Sequence, residues 1–179
     1  MDVFSHGLWG GVVLGRKKRK NYILAFVFSV LPDIFAEGIM FGMIFLGVNN
    51  MPDLEHGHPN ISDFPTYAQN FYNATHSLVI FIMVFAVVWL FRKKPYWLLL
   101  AWSLHIIIDI PTHSLKLFPT PFLWPVSDLK IDGIPWDNSM ILIPDIILLI
   151  VFYSFWIYKS RTGNISINNN SALNSSEFK

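Results

Sequence analysis

Residues 92 to 115 read RKKPYWLLLAWSLHIIIDIPTHSL. A basic triplet opens the stretch, an apolar run from Tyr96 to Ile110 follows, and Pro111 closes it. Such a run beside a basic cluster has the pattern of a membrane helix anchored at the cytoplasmic surface. Yet it carries His105 and Asp109, four residues apart, with His113 four further on. Side chains at i and i+4 share a helix face, about 5 to 6 Å apart at Cβ. Ionisable groups inside a membrane cost about 2.5 to 3.5 kcal/mol each on insertion scales, so they need partners. Pro111 biases its predecessor away from helix. The stretch therefore predicts a helix ending near Ile110 that presents His105 and Asp109 together, with His113 in the loop beyond.

The rest of the chain repeats this pattern. Apolar residues make up 53% of the 179 and charged residues 14%, against about 25% charged in ordinary soluble domains. The apolar residues lie in blocks: Tyr22 to Val48 interrupted by LPD, Leu78 to Phe91, Tyr96 to Ile110, and Met140 to Tyr158. Blocks of about 17 to 25 residues span a bilayer, and shorter ones are accommodated inside a bundle. The fold class expected is all-α, a polytopic membrane helix bundle of four to five apolar helices. A short N-terminal re-entrant helix adds to it. Residues 1–160 form one membrane-embedded domain, and the polar, low-complexity stretch 161–179 is expected to be a disordered tail.

Charge placement orients the bundle. RKKRK at 16 to 20, RKK at 92 to 94, and Lys159 with Arg161 all abut apolar blocks, which puts them on the cytoplasmic side. Loops 49–70 and 114–138 hold Asp53, Glu55, Asp63, Asp128, Asp132 and Asp137 and belong on the opposite face. The expected location is thus the inner, cytoplasmic membrane, with the bilayer as partner and no nucleic acid. Residues 3 to 15 are too short to span but precede a basic turn, which suggests a helical hairpin. Gly7, Gly11 and Gly15 give it the small-xxx-small face that lets membrane helices approach closely. A later helix should start near NATHS, capped by Asn73 or Thr75. Without cysteine, any metal site must use nitrogen and oxygen.

Seven ionisable residues fall within or beside the apolar segments: His6, Asp33, Glu37, His76, His105, Asp109 and Asp145. Counting about 1.5 Å of rise per residue from the nearest basic cluster puts His6, Asp33, His76, His105, Asp109 and Asp145 roughly 15 to 24 Å deep. That is one layer, from mid-membrane outward. A single HxxxD pair is more often structural than functional. Several histidines and carboxylates at one depth leave many polar groups needing partners at once, and a divalent ion satisfies them together.

In order, SHGLWGG with His6, LPDI with Asp33, THSL with His76, HIIIDIPT with His105, Asp109 and Thr112, and LWPV with Pro125 resemble the YdjM-type family. Its members are LexA-regulated or otherwise uncharacterised inner-membrane proteins assigned as metal-dependent hydrolases. The resemblance covers roughly residues 4 to 127. It implies a compact helical membrane protein with His6, Asp33, His76, His105 and Asp109 as metal ligands. The pattern is also loosely similar to that of zinc-dependent phospholipases C, which implies phosphoester chemistry. Two departures stand out: Phe35 replaces the acidic residue often found after the PD pair, with Glu37 the nearest substitute, and the arginine often preceding THS is missing.

Together these readings lead to a membrane-embedded hydrolase using a divalent ion, with zinc the expected identity, whose bound water is activated near neutral pH. Glu37 or Asp145 would serve as general base. A site at outer-leaflet depth beneath Trp124 and Trp136 suits a lipid or lipid-phosphate substrate. Two other readings stay open: an ion or proton transporter, since intramembrane His and Asp also mark conduction paths, and a non-catalytic scaffold fixed by its metal. His56, His58 and His113 receive no role.

Overall fold

The structure, a computed structural model, describes residues 1–48, 64–116 and 118–176. Asp53, Glu55, His56, His58 and Asp63 of the expected outer loop lie outside these. Among the described residues the elements are helices: α1 (Val3–Gly10), α2 (Arg19–Asp33), α3 (Ile39–Phe45), α4 (Thr66–Thr75), α5 (Leu78–Arg92), α6 (Leu100–Thr112) and α7 (Ser139–Ser176).

The N-terminal hairpin forms as the glycine spacing predicts. α1 runs on through a π-helical segment, Gly11–Gly15, turns at the basic residues, and packs along α2. A Cβ on Gly7 would stand 2.4 Å from the Phe26 ring, one on Gly11 2.4 Å from Tyr22, and one on Gly15 2.4 Å from the Tyr22 Cα. Gly10, which the four-residue spacing leaves out, is equally tight: its Cβ would meet Ser29 Cβ at 2.6 Å and the Ala25 carbonyl at 2.8 Å. At Gly10 and Gly15 an added Cβ would meet the backbone of α2, and at Gly7 and Gly11 the Phe26 and Tyr22 rings would have to move, so α1 lies close against α2.

α2 is the central element, in contact with α1, α4 and α6. Pro32, lacking an N–H, cannot complete the regular hydrogen-bond ladder. The helix neither stops nor restarts there; it widens into a π segment, Ile34–Gly38, and continues as α3. The resulting Arg19–Phe45 helix is long and apolar enough to cross a membrane, as is Ser139–Thr162 of α7. α4 and α5 together qualify as a third span, bent by 63° at the break between them. Against an expectation of four to five apolar helices in the membrane, two, or three counting the bent pair, are long enough to cross it. The reason is length: Trp97–Thr112 and Val3–Gly15 are shorter apolar helices, and sixteen residues rise only about 24 Å against a hydrocarbon core of about 30 Å. They sit in the bundle beside the long ones.

Two boundaries also differ from the sequence reading. Residues Thr66–Thr75, assigned in part to a polar loop, form α4, so Asn73 and Thr75 lie at a helix end. The cap of α5 is Ser77, whose Oγ accepts from the Ile80 amide at 3.2 Å and donates to the Trp124 carbonyl. α6 carries Pro111 inside its last turn and ends at Thr112. The helical backbone of α7 runs to Ser176.

α7 joins the bundle through a polar and aromatic seam. Trp9 Nε1 donates to Asp145 Oδ1 at 2.7 Å, the Tyr22 and Tyr153 hydroxyls lie 2.7 Å apart, and Tyr153 donates to the Leu8 carbonyl at 3.0 Å. Most of its other large side chains, Ile143, Ile147, Ile150 and Phe155 among them, are exposed, as a lipid-facing helix requires.

Candidate metal centre

The first contributor is the break between α4 and α5. His76 closes α4, its amide bonded to the Tyr72 carbonyl at 2.9 Å and its ring stacked on Tyr72 at 4.1 Å between centroids. Its Nδ1 lies 3.1 Å from both the Tyr72 carbonyl and Thr75 Oγ1. A carbonyl only accepts, so Nδ1 carries the proton and Nε2 presents its lone pair inward. This is the orientation that outer partners impose on metal-binding histidines. Trp102 Nε1 takes up the Thr75 carbonyl at 2.6 Å, holding the bend.

α6 supplies His105 and Asp109 on one face, as the four-residue spacing predicts. His105 Nε2 lies 3.0 Å from Asp109 Oδ2 and 3.1 Å from His76 Nε2. Asp33, the last residue of α2, brings Oδ1 to 3.3 Å from His76 Nε2 and 3.4 Å from His105 Nε2. Asp109 Oδ2 stands 3.7 Å from His76 Nε2. Two ligand atoms about 2.1 Å from one ion are at most about 4.2 Å apart, and all these separations fall inside that limit.

Two helices and one helix break thus aim two imidazole nitrogens and two carboxylates at one point, all four residues buried. Asp33 Oδ2 has no hydrogen-bond partner, and Asp109 Oδ2 meets only the imidazoles of His105 and His76 within the group itself. Unpaired buried carboxylate oxygens are costly unless a cation or proton joins them. Asp33, His76, His105 and Asp109 can hold a metal ion.

Around this group the remaining predicted residues sort themselves. His6 is fully buried, its ring packed on that of His105 at 3.8 Å between centroids, and its Nε2 lies 2.9 Å from Asp109 Oδ1. It reaches the group through the far oxygen of Asp109. His113 lies just beyond the end of α6 in extended conformation, as the proline predicts, yet it still turns back: its amide bonds to the Asp109 carbonyl at 3.1 Å, and Nδ1 lies 3.3 Å from Asp109 Oδ1. Pro111 is held inside the last turn of α6, so His113, the next residue but one, is placed to reach back one turn from the cap. The Met1 ammonium bonds the same oxygen at 2.5 Å and Thr112 Oγ1 at 3.3 Å.

Glu37 lines a cavity of about 430 Å³ that also borders Asp33 and His76. Asp145 does not line it; its carboxylate is held by Trp9 on the α7 seam. Loop residues complete the cavity's rim. Gly133 and Ile134 donate to the His113 and Pro111 carbonyls at 2.9 and 3.0 Å, and a Cβ on Gly133 would stand 2.3 Å from the Pro111 oxygen. This close approach brings Trp136 to the cavity beside His113.

Sequence reasoning missed Tyr72 and Thr75 as the outer partners of His76. A signal was present: Ala68, Phe71, Tyr72 and Thr75 recur at helical spacing after Pro65, a helix-starting pattern. No family model, curated protein or solved structure matches the chain.

Proposed function

We propose that the protein is a membrane-embedded, metal-dependent hydrolase acting on a lipid or lipid-linked phosphoester. One observation carries this reading: the buried Asp33, His76, His105 and Asp109 group borders an open cavity large enough for a small polar headgroup. A purely structural ion would be enclosed on all sides.

The residues fit a divalent ion of the zinc type, with two neutral imidazoles for binding and two carboxylates to balance the charge. When bound, such an ion polarises a phosphoryl oxygen and makes water a better nucleophile near neutral pH. His76 commits Nδ1–H to the Tyr72 carbonyl, which leaves the Nε2 lone pair to face the ion. His6 and His113 steady Asp109 from its other oxygen. Glu37 lines the same cavity as Asp33 and takes the proton of the attacking water; the new P–O bond forms as the ester P–O bond breaks. Its carboxylic acid then returns the proton to the leaving alkoxide. Asp145, tied to Trp9, stabilises the α1–α7 seam.

The test compares wild type with His105→Ala by elemental analysis after purification, then assays metal-loaded and chelated protein on phospholipid and prenyl-phosphate panels. Stoichiometric metal in wild type only, with turnover abolished by chelation, supports the reading. A wild type that neither holds nor takes up metal sinks the ligand assignment. Metal binding without turnover favours the scaffold, and metal-independent ion flux in liposomes favours transport.

A further inference from the structure

The helices that carry Asp33 and His76 have a second cavity on their other side. It measures about 320 Å³ and is walled by Phe28, Leu31 and Phe35 of α2 and its π segment, Phe71 of α4, and Leu99 and Trp102 around the start of α6. Helical spacing keeps the two cavities apart. Asp33 with Glu37 and Tyr72 with His76 line the cavity at the metal centre, whereas Leu31 with Phe35 and Phe71 with Thr75 line this one. Each is an i, i+4 pair and so shares one helix face. α2 and α4 therefore form a wall with metal ligands on one side and apolar side chains on the other.

The chemistry of this wall and its depth define what fills it. Its polar side chains are already bonded: the Thr75 hydroxyl donates to the Phe71 carbonyl at 2.8 Å, and the Trp102 indole donates to the Thr75 carbonyl at 2.6 Å. A cavity so lined stays dry and takes apolar guests; about 150 Å³ already holds a benzene, so this one has room for a run of chain methylenes. Left empty, it would be foreign to a packed interior, where voids larger than a water are few. Arg19–Phe45 is long and apolar enough to cross a membrane. Counted from Lys20, Phe28 to Phe35 rise about 12 to 22 Å, the middle of a hydrocarbon core of about 30 Å. Phe35 and Phe71 are exposed, so the cavity opens onto that core, where the molecules in reach are acyl chains.

We infer that this cavity is a lipid site, taking one acyl chain of a bilayer phospholipid behind the metal centre. The chain packs against Thr75 and Trp102, whose bond holds the helix break that carries His76, and Thr75 Oγ1 lies 3.1 Å from His76 Nδ1. Filling the cavity thereby stiffens the His76 ring and strengthens metal binding. The lipid site stands on the cavity alone, and its effect on the metal rests on the ligand assignment; neither requires hydrolysis.

The test gives delipidated, full-length protein, in a steroid-based detergent without flexible alkyl chains, one equivalent of a phosphatidylcholine with a diazirine midway along one acyl chain. Cross-links mapped by peptide mass spectrometry should favour Leu31, Phe35 and Phe71 over the exposed, lipid-facing Ile82 and Ile147 by about ten-fold or more, because filling a cavity recovers contacts that an outer face never lacked. Leu31→Trp fills the space with its own indole and should abolish the preference, whereas Ile82→Trp, which adds the same ring on the outer face, should keep it. Even labelling of cavity and outer face in wild type, a comparison needing no variant, overturns the inference, as does labelling that stays focused in Leu31→Trp. Unlabelled phosphatidylcholine should also raise wild-type metal affinity about five-fold, read against a graded chelator series by elemental analysis. Focused labelling with unchanged metal affinity overturns the coupling to His76 and supports the lipid site. Focused labelling of a protein that takes up no metal supports the lipid site and sinks the ligand assignment instead.

Discussion

Asp109 is the residue on which the candidate site turns, because its two oxygens face different groups. Oδ2 points toward His105 and His76, while Oδ1 meets His6, His113 and the Met1 ammonium. Asp109→Asn keeps the shape but removes a charge that offsets the cation, so metal affinity should fall by about 100-fold or more. His113→Gln removes only an outer partner, for which losses run from about 10- to 100-fold, and should sit at the low end. Competition against a graded series of chelators, read by elemental analysis, separates the two; equal retention would contradict the central role of Asp109. The i, i+4 pairing of His105 with Asp109 was legible in the sequence because helix periodicity is local. His113 lies outside the helix as read, but its contact with Asp109 was not legible, because it depends on the loop that docks Gly133 and Ile134 onto the His113 and Pro111 carbonyls.

At the scale of elements, the α1–α2 hairpin and the α4–α5 break set the positions of His6 and His76. Gly10→Ala would force its Cβ against Ser29 and the Ala25 carbonyl; overpacking of this kind costs about 1 to 3 kcal/mol. Gly42 has nothing within 4 Å of a built Cβ, so Gly42→Ala should be neutral or stabilising by up to about 1 kcal/mol through helix propensity. Thermal unfolding in one detergent should therefore lower the midpoint for the first variant and not the second. Ser77→Ala removes both the α5 cap and the bond to the Trp124 carbonyl; a lost cap costs about 0.5 to 2 kcal/mol. Because the same bond anchors the loop to the helix break that carries His76, Ser77→Ala should also weaken metal binding, where Gly42→Ala should not. The glycine spacing announced the hairpin, but α4 was hidden because its polar face resembles a loop when read without its packing partner.

For the whole molecule, the testable quantity is sidedness. If the basic clusters are cytoplasmic, the N-terminal end of α1 and the loop around Val126 face outward, while Lys18 faces inward. Ser5 is a poor probe because it is buried, whereas Phe4 and Val126 are 77% and 78% exposed. The chain contains no cysteine, so single cysteines at 4, 18 and 126 are clean reporters for an impermeant thiol reagent in intact cells. Labelling is expected at 4 and 126 and not at 18. Protection of position 4 until the membrane is permeabilised would reverse the proposed entry of α1 and put the cavity on the cytoplasmic face.

The all-helical character, the membrane-length apolar segments and the shared depth of the histidines and aspartates follow from composition, periodicity and charge clusters. Each of these is a local or one-dimensional property of the chain. Which polar groups meet is a different matter. By the rise count from the basic clusters Asp145 falls near the depth of Asp33, but its carboxylate meets Trp9 across the α7 seam, while Glu37 reaches the cavity. Depth constrains one coordinate, and helix rotation and lateral packing set the other two. Those depend on glycine contacts, a π-helical widening after Pro32 and a 63° bend, and only the folded bundle decides them together.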